Sequence, residues 1–194
     1  APDLPGYGKS DKPAAREDYS YQRQVDWLGQ WLGANDLKDL NFFGQDWGGL
    51  IGLRVIADHP ERFERVIISN TGLPYRPNVP LEIVQKVKNF RENAKTPTLP
   101  EMAKKLRTTD KDEGISFAYW QKYCWETEDL PIGFMMSSFL ERKRGKLITM
   151  LDLLFINLGL KNISPFQTNL GRAYAAPFPD KSYKMGPRAM PSQV

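Results

Sequence analysis

Residues 40–52, LNFFGQDWGGLIG, constrain this chain more than any other stretch. A short apolar run, Leu40-Asn41-Phe42-Phe43, ends in Gly44-Gln45-Asp46-Trp47-Gly48, and a helix-like pattern begins at once. Glycine two before and two after a polar residue is the spacing of a nucleophile elbow, a sharp strand-to-helix turn that leaves the central side chain exposed. Such a turn crowds backbone on backbone, so residues without a Cβ are expected at its flanks. The central residue is Asp46, where the usual pattern has serine. The start of the next helix is expected to turn free N–H groups and its positive dipole end toward that carboxylate, favouring the ionised, attacking form. On spacing alone, an aspartate at a helix start is more often a plain N-cap. The preceding strand, the following helix, the adjacent tryptophan and the extra Gly49 shift the balance to an elbow.

The flanking sequence supplies a layered context. Tyr21, Val25, Leu28 and Leu32 recur at helical spacing behind Ser20, an N-cap candidate, with Trp27 and Trp31 widening the apolar face into a core. Residues 38–44 read as a strand, 47–58 as a helix and 63–70 as a second strand rich in β-branched residues. Strand, helix, strand at this spacing is a right-handed βαβ unit of a parallel sheet. Ligands of such sheets bind at the carboxyl ends of the strands, where Asp46 stands.

Two tempting sites are set aside. Gly6-Tyr7-Gly8-Lys9-Ser10 lacks the first glycine of a phosphate-binding loop, because Asp3 occupies that position. His59 is the only histidine. A helix of about 12 residues, roughly 18 Å long, separates it from Asp46, so it reads as a solvated helix-end residue.

These residues carry a resemblance. APDLPGYGKSDKP (1–13), GQDWGG (44–49), DHPERFERVIISN (58–70) and AYAAPFPDKSYKMGPRAMP (173–191) resemble the haloalkane dehalogenases, a branch of the α/β-hydrolase superfamily. The last stretch is the most specific, since epoxide hydrolases share the other three. The resemblance implies an α/β class: a partial α/β-hydrolase fold, with a parallel sheet core and an inserted helical cap. Residues 1–73 would be part of the core with the elbow, and 74–194 the cap and the return toward the core. In the family, Ala1-Pro2-Asp3 ends a core strand, so the chain is expected to be truncated at its start. The catalytic acid and histidine are expected beyond Val194.

The implied reaction is hydrolytic removal of halogen from an alkyl carbon. Asp46 would attack the carbon and form an aspartyl ester. The departing halide needs donors in a dry site, and the indole N–H is a donor on an apolar body. Trp47 and Trp120 would be that pair, Trp120 by the match of Phe117-Ala118-Tyr119-Trp120 to the family's cap. Phe117, Phe178 and Pro179 would line the substrate pocket. No metal or organic cofactor is called for. The partners implied are a small apolar halogenated substrate and a halide ion. The nearest alternative is an epoxide hydrolase with the same aspartate and cap tyrosines Tyr119 and Tyr123 as acids. A non-catalytic remnant of the fold is the alternative of a different class.

Composition excludes several classes. Net charge is +4, but the basic residues are scattered apart from residues 142–146, which read as a solvated helix end. No nucleic-acid motif is present. No apolar run reaches the roughly 18 residues of a membrane span. The single cysteine, Cys124, excludes an internal disulfide and suits a cytoplasmic location. Residues 131–170 depart from the family, and 147–160 read as an extra amphipathic helix. The sequence sets no oligomeric state.

Overall fold

A computed structural model describes residues 1–72, 78–107, 115–140, 146–158 and 168–193. Residues 73–77, at the expected boundary between core and cap, most of the basic cluster (142–145) and the end of the expected extra helix (159–160) lie outside the described residues.

Helix α1 (Tyr21–Ala34) starts where Ser20 caps it, the hydroxyl accepting from the Arg23 N–H at 3.1 Å. Strand β1 (Leu40–Gln45) leads directly into helix α2 (Asp46–Asp58), and strand β2 (Phe63–Ser69) follows. The strands pair in parallel, with Phe42 opposite Val66 and Gly44 opposite Ile68. Val25 and Leu32 of α1 and Ile51 and Val55 of α2 bury together with Tyr19, Ala189 and Met190. Ile51 is wholly buried. The tail of the chain therefore packs into the same core as the elbow helix. Trp27 meets Tyr19 edge-on at 6.5 Å. Trp31 corrects the core expectation: it is exposed, because the stripe facing α2 is already filled.

The strand expected at 63–70 forms as β2, Phe63–Ser69. Val66, Ile67 and Ile68 are exposed, as is Phe43 of β1. Parallel strands are ordinarily covered on both faces. Here α2 covers one face of β1, and among the described residues the sheet has two strands.

Among the described residues, seven α-helices follow: α3 (Leu81–Asn93), α4 (Leu99–Arg107), α5 (Ser116–Glu126), α6 (Ile132–Leu140), α7 (Lys146–Asn157), α8 (Asn169–Ala175) and α9 (Met185–Ala189). A second cluster, Met102, Tyr123, Cys124 and Leu130, holds α4 and α5 together. Helix α6, not foreseen as a separate element, packs on α8 at Gly133 and Gly171. A Cβ on Gly133 would stand 2.5 Å from the Gly171 carbonyl oxygen, so only glycine permits the approach. Among the described residues no helix is long and apolar enough to cross a membrane.

Candidate active site

Asp46 adopts φ +50°, the left-handed region. A non-glycine residue there carries strain, and the position is the junction of β1 and α2. The N-cap is Gln45, in extended conformation and without a side-chain cap bond. The plain-cap alternative for Asp46 therefore does not describe this turn. Its backbone N–H donates to the Asn70 carbonyl at 3.3 Å, and its own carbonyl accepts from the Thr71 hydroxyl at 2.8 Å. The end of β2 thus holds the turn. The carboxylate is exposed, and among the described residues nothing donates to it. The expected reach of helix N–H groups toward it is not made.

The glycines around the turn divide unequally. A Cβ on Gly44 would lie 2.5 Å from the Phe42 ring and 2.9 Å from the Gly49 Cα. One on Gly49 would lie 2.4 Å from Thr71. One on Gly48 would meet nothing within 4 Å. The second crowded glycine is thus Gly49, one residue beyond the motif position. Gly52, outside the motif, would place a Cβ 2.1 Å from the Phe42 ring. Phe42 therefore lies in a slot cut by Gly44 and Gly52, edge-on to Phe63 at 6.3 Å.

Trp47 is half-buried against the Tyr19–Ile51–Met190 core. Trp120 is half-buried against the Met102–Cys124 cluster. The two tryptophans thus sit in different clusters, on α2 and α5. Neither indole N–H has a hydrogen-bond partner among the described residues. Trp125, by contrast, packs on the core cluster with the Arg16 guanidinium 4.3 Å over its ring. Phe178 is buried after α8, its N–H donating to the Ala175 carbonyl at 2.8 Å. Phe117 and Pro179 are exposed. Tyr119 stacks on Phe90 at 4.3 Å with Lys105 over its ring. Tyr123 is buried, and burial pushes its phenol well above the ordinary range.

Two cavities of about 350 and 340 Å³ lie elsewhere. The first is lined by Val25, Gly29, Val55, Asp58 and His59, the second by Arg91, Gln121, Lys122, Trp125 and Glu126. His59 caps the far end of α2, its N–H donating to the Val55 carbonyl at 3.0 Å, and its ring faces Gly29 of α1. Among the described residues no cluster of metal-ligating side chains occurs.

Tyr7, in the turn Gly6-Tyr7-Gly8, packs against the first core cluster, and burial pushes its phenol well up. Asp3 occupies that turn: its carboxylate accepts from the Lys9 N–H at 2.8 Å, and its carbonyl from the Ser10 hydroxyl at 2.6 Å. Gly8, at φ +48°, would set a Cβ 2.1 Å from that carboxylate carbon. The loop is a closed turn presenting Tyr7, with its own acid where a phosphate loop holds its ligand.

A residue at positive φ between parallel strand and helix, braced by crowded glycines, makes a sharp strand-to-helix turn. Residues 1–136 match the alpha/beta hydrolase fold family model, and the chain belongs to that family. Over all 194 residues it is 37% identical to a haloalkane dehalogenase of Psychrobacter cryohalolentis and 32% identical to one of Mycolicibacterium paratuberculosis. It spans 46% of the length of each, so it covers about half of these curated relatives. The tetrameric structure of haloalkane dehalogenase DpaA from Paraglaciecola agarilytica superposes with a TM-score of 0.58 at 24% identity. That match covers the whole chain and 46% of DpaA, and it shows the shared fold.

Proposed function

We propose that this chain carries the nucleophile and cap of a hydrolase that cleaves carbon–halogen bonds, a haloalkane dehalogenase. The observation that supports this most is Asp46, at φ +50° with an exposed carboxylate, unpartnered among the described residues, at the carboxyl end of β1. A carboxylate oxygen attacks the halogen-bearing carbon. The new O–C bond forms as the C–halogen bond breaks, and the halide leaves with the electron pair. Trp47 and Trp120 receive the halide through their indole N–H groups. Phe117, Phe178 and Pro179 supply apolar wall. Water then cleaves the ester, giving alcohol and restoring Asp46. His59, at the far end of α2, is not the base for that step.

Residues 1–73 act as the core unit and 74–194 as the cap with its return. The two separate apolar clusters support this division, as do Ala189 and Met190, which rejoin the first.

The test is intact-protein and peptide mass spectrometry after exposure to 1-bromobutane. The expected product is one butyl group on Asp46, absent from Asp46→Asn. A folded sample with unmodified Asp46 would overturn the assignment.

A further inference from the structure

The carbonyl of Trp125, at the end of α5, accepts from two arginines. Arg16 Nη1 donates at 2.6 Å and Arg188 Nη2 at 3.2 Å. One arginine is an ordinary partner for an orphan helix-end carbonyl. Two are not, because the helix end offers only about half a negative charge, whereas each guanidinium brings a full positive one. Neither arginine has a carboxylate partner among the described residues. Glu128 and Asp129 act on Arg188 only through space, and each is bonded to a lysine, Glu128 to Lys181 and Asp129 to Lys184. Arg188 is only 8% exposed, and its Nε is buried without any acceptor. Among the described residues its other hydrogen bond runs from Nη1 to a weak acceptor, Met185 Sδ, at 3.4 Å. The Cys124 thiol beside it is no counter-ion, since burial pushes its pKa up and keeps it protonated. A buried guanidinium with no directly bonded carboxylate among the described residues, set against a second guanidinium, is costly unless an anion joins them.

We infer that Arg16 and Arg188 form a binding site for a small monovalent anion at the junction of α5 and α9, separate from Asp46 and the tryptophan pair. A carboxylate suits the forked guanidinium donors, and a halide has the same charge in a smaller volume. The site joins three parts of the chain: the turn at Arg16, the end of α5 and α9. An anion bound there would fasten the cap to the core.

The test uses the 194-residue chain labelled with ¹⁵N, observing the arginine Nε–H signals during titration with sodium acetate and, separately, sodium chloride. The Arg188 signal is expected to shift along a saturating curve, and the salt giving the tighter curve identifies carboxylate or halide. Arg16→Gln is expected to weaken binding about ten-fold or more, by loss of a charge-assisted bond. Arg16→Lys, which keeps the charge and loses the fork, should weaken it less. Asp46→Asn should match the wild type, whatever the fate of the proposed dehalogenase chemistry. Linear drift in both salts would overturn the inference. So would an unchanged curve in Arg16→Gln, or loss of the response in Asp46→Asn, which would put the anion at the tryptophans.

Discussion

The elbow and the cap helix α5 are built in opposite ways. The elbow is held mostly by near neighbours, Phe42 in the slot of Gly44 and Gly52, with Thr71, 25 positions on, bonded to the Asp46 carbonyl. Helix α5 is held by residues far away in sequence. Arg16 bonds Trp125 across 109 positions, and the Gln121 side chain donates to the Pro191 carbonyl across 70, at 2.9 Å. The local part of a device can be read from the stretch that holds it. A long-range one has no local signature, because its partners share no periodicity.

That contrast can be broken or sharpened by substitution. The largest effect is expected at Ile51, wholly buried beneath the elbow helix. Ile51→Ala should cost about 2–5 kcal/mol by urea denaturation, and a loss below about 1 kcal/mol would mean that the core is not organised around α2. Next comes Gly52→Ala, whose Cβ meets an aromatic ring at 2.1 Å. It should destabilise by about 1–3 kcal/mol. Gln121→Ala should cost a similar amount, about 1–3 kcal/mol, by leaving a buried carbonyl without its donor. If Gln121→Ala is silent while Gly52→Ala is not, the long-range tie contributes nothing and α5 is held by packing alone.

A gain is expected from Asp46→Gly. Relieving a non-glycine residue at positive φ should stabilise by about 1 kcal/mol while abolishing alkylation. A loss of stability there would remove strain from the account of the elbow. The smallest effect is expected at Gly48. Gly48→Ala meets open space and gains helix propensity, so it should be neutral or stabilise by up to about 1 kcal/mol, although its spacing marks it as a motif residue.

Titration probes the core cluster that both regions share. Burial pushes the Tyr19 phenol from 10.0 up to about 12. Because the folded value exceeds the unfolded one, this contribution is complete below pH 10 and is lost as pH rises toward 12. Denaturation midpoints should fall across that window, and more gently in Tyr19→Phe.

The parts of the fold that were legible are those written in local chemistry. Ser20 announced α1, the β-branched run announced β2, and residues 44–49 announced the elbow. The motif misled in one respect. It assigned the crowding to Gly48, whereas Thr71, from beyond β2, makes Gly49 the residue that has to lack a Cβ. Trp31 misled for a related reason, since helical spacing marks a face but not how much of it a neighbour covers. Helix α6 was hidden in a stretch whose apolar residues, Ile132-Gly133-Phe134-Met135-Met136, have no clear period.

The exposed run Val66-Ile67-Ile68 has a consequence for the chain in solution. It is a β-branched segment with accessible backbone edges, the kind that templates strand addition between molecules. Glu64 and Arg65 stand immediately before it as charged gatekeepers. Colloidal behaviour should therefore depend steeply on protein concentration and on salt, which screens those two charges.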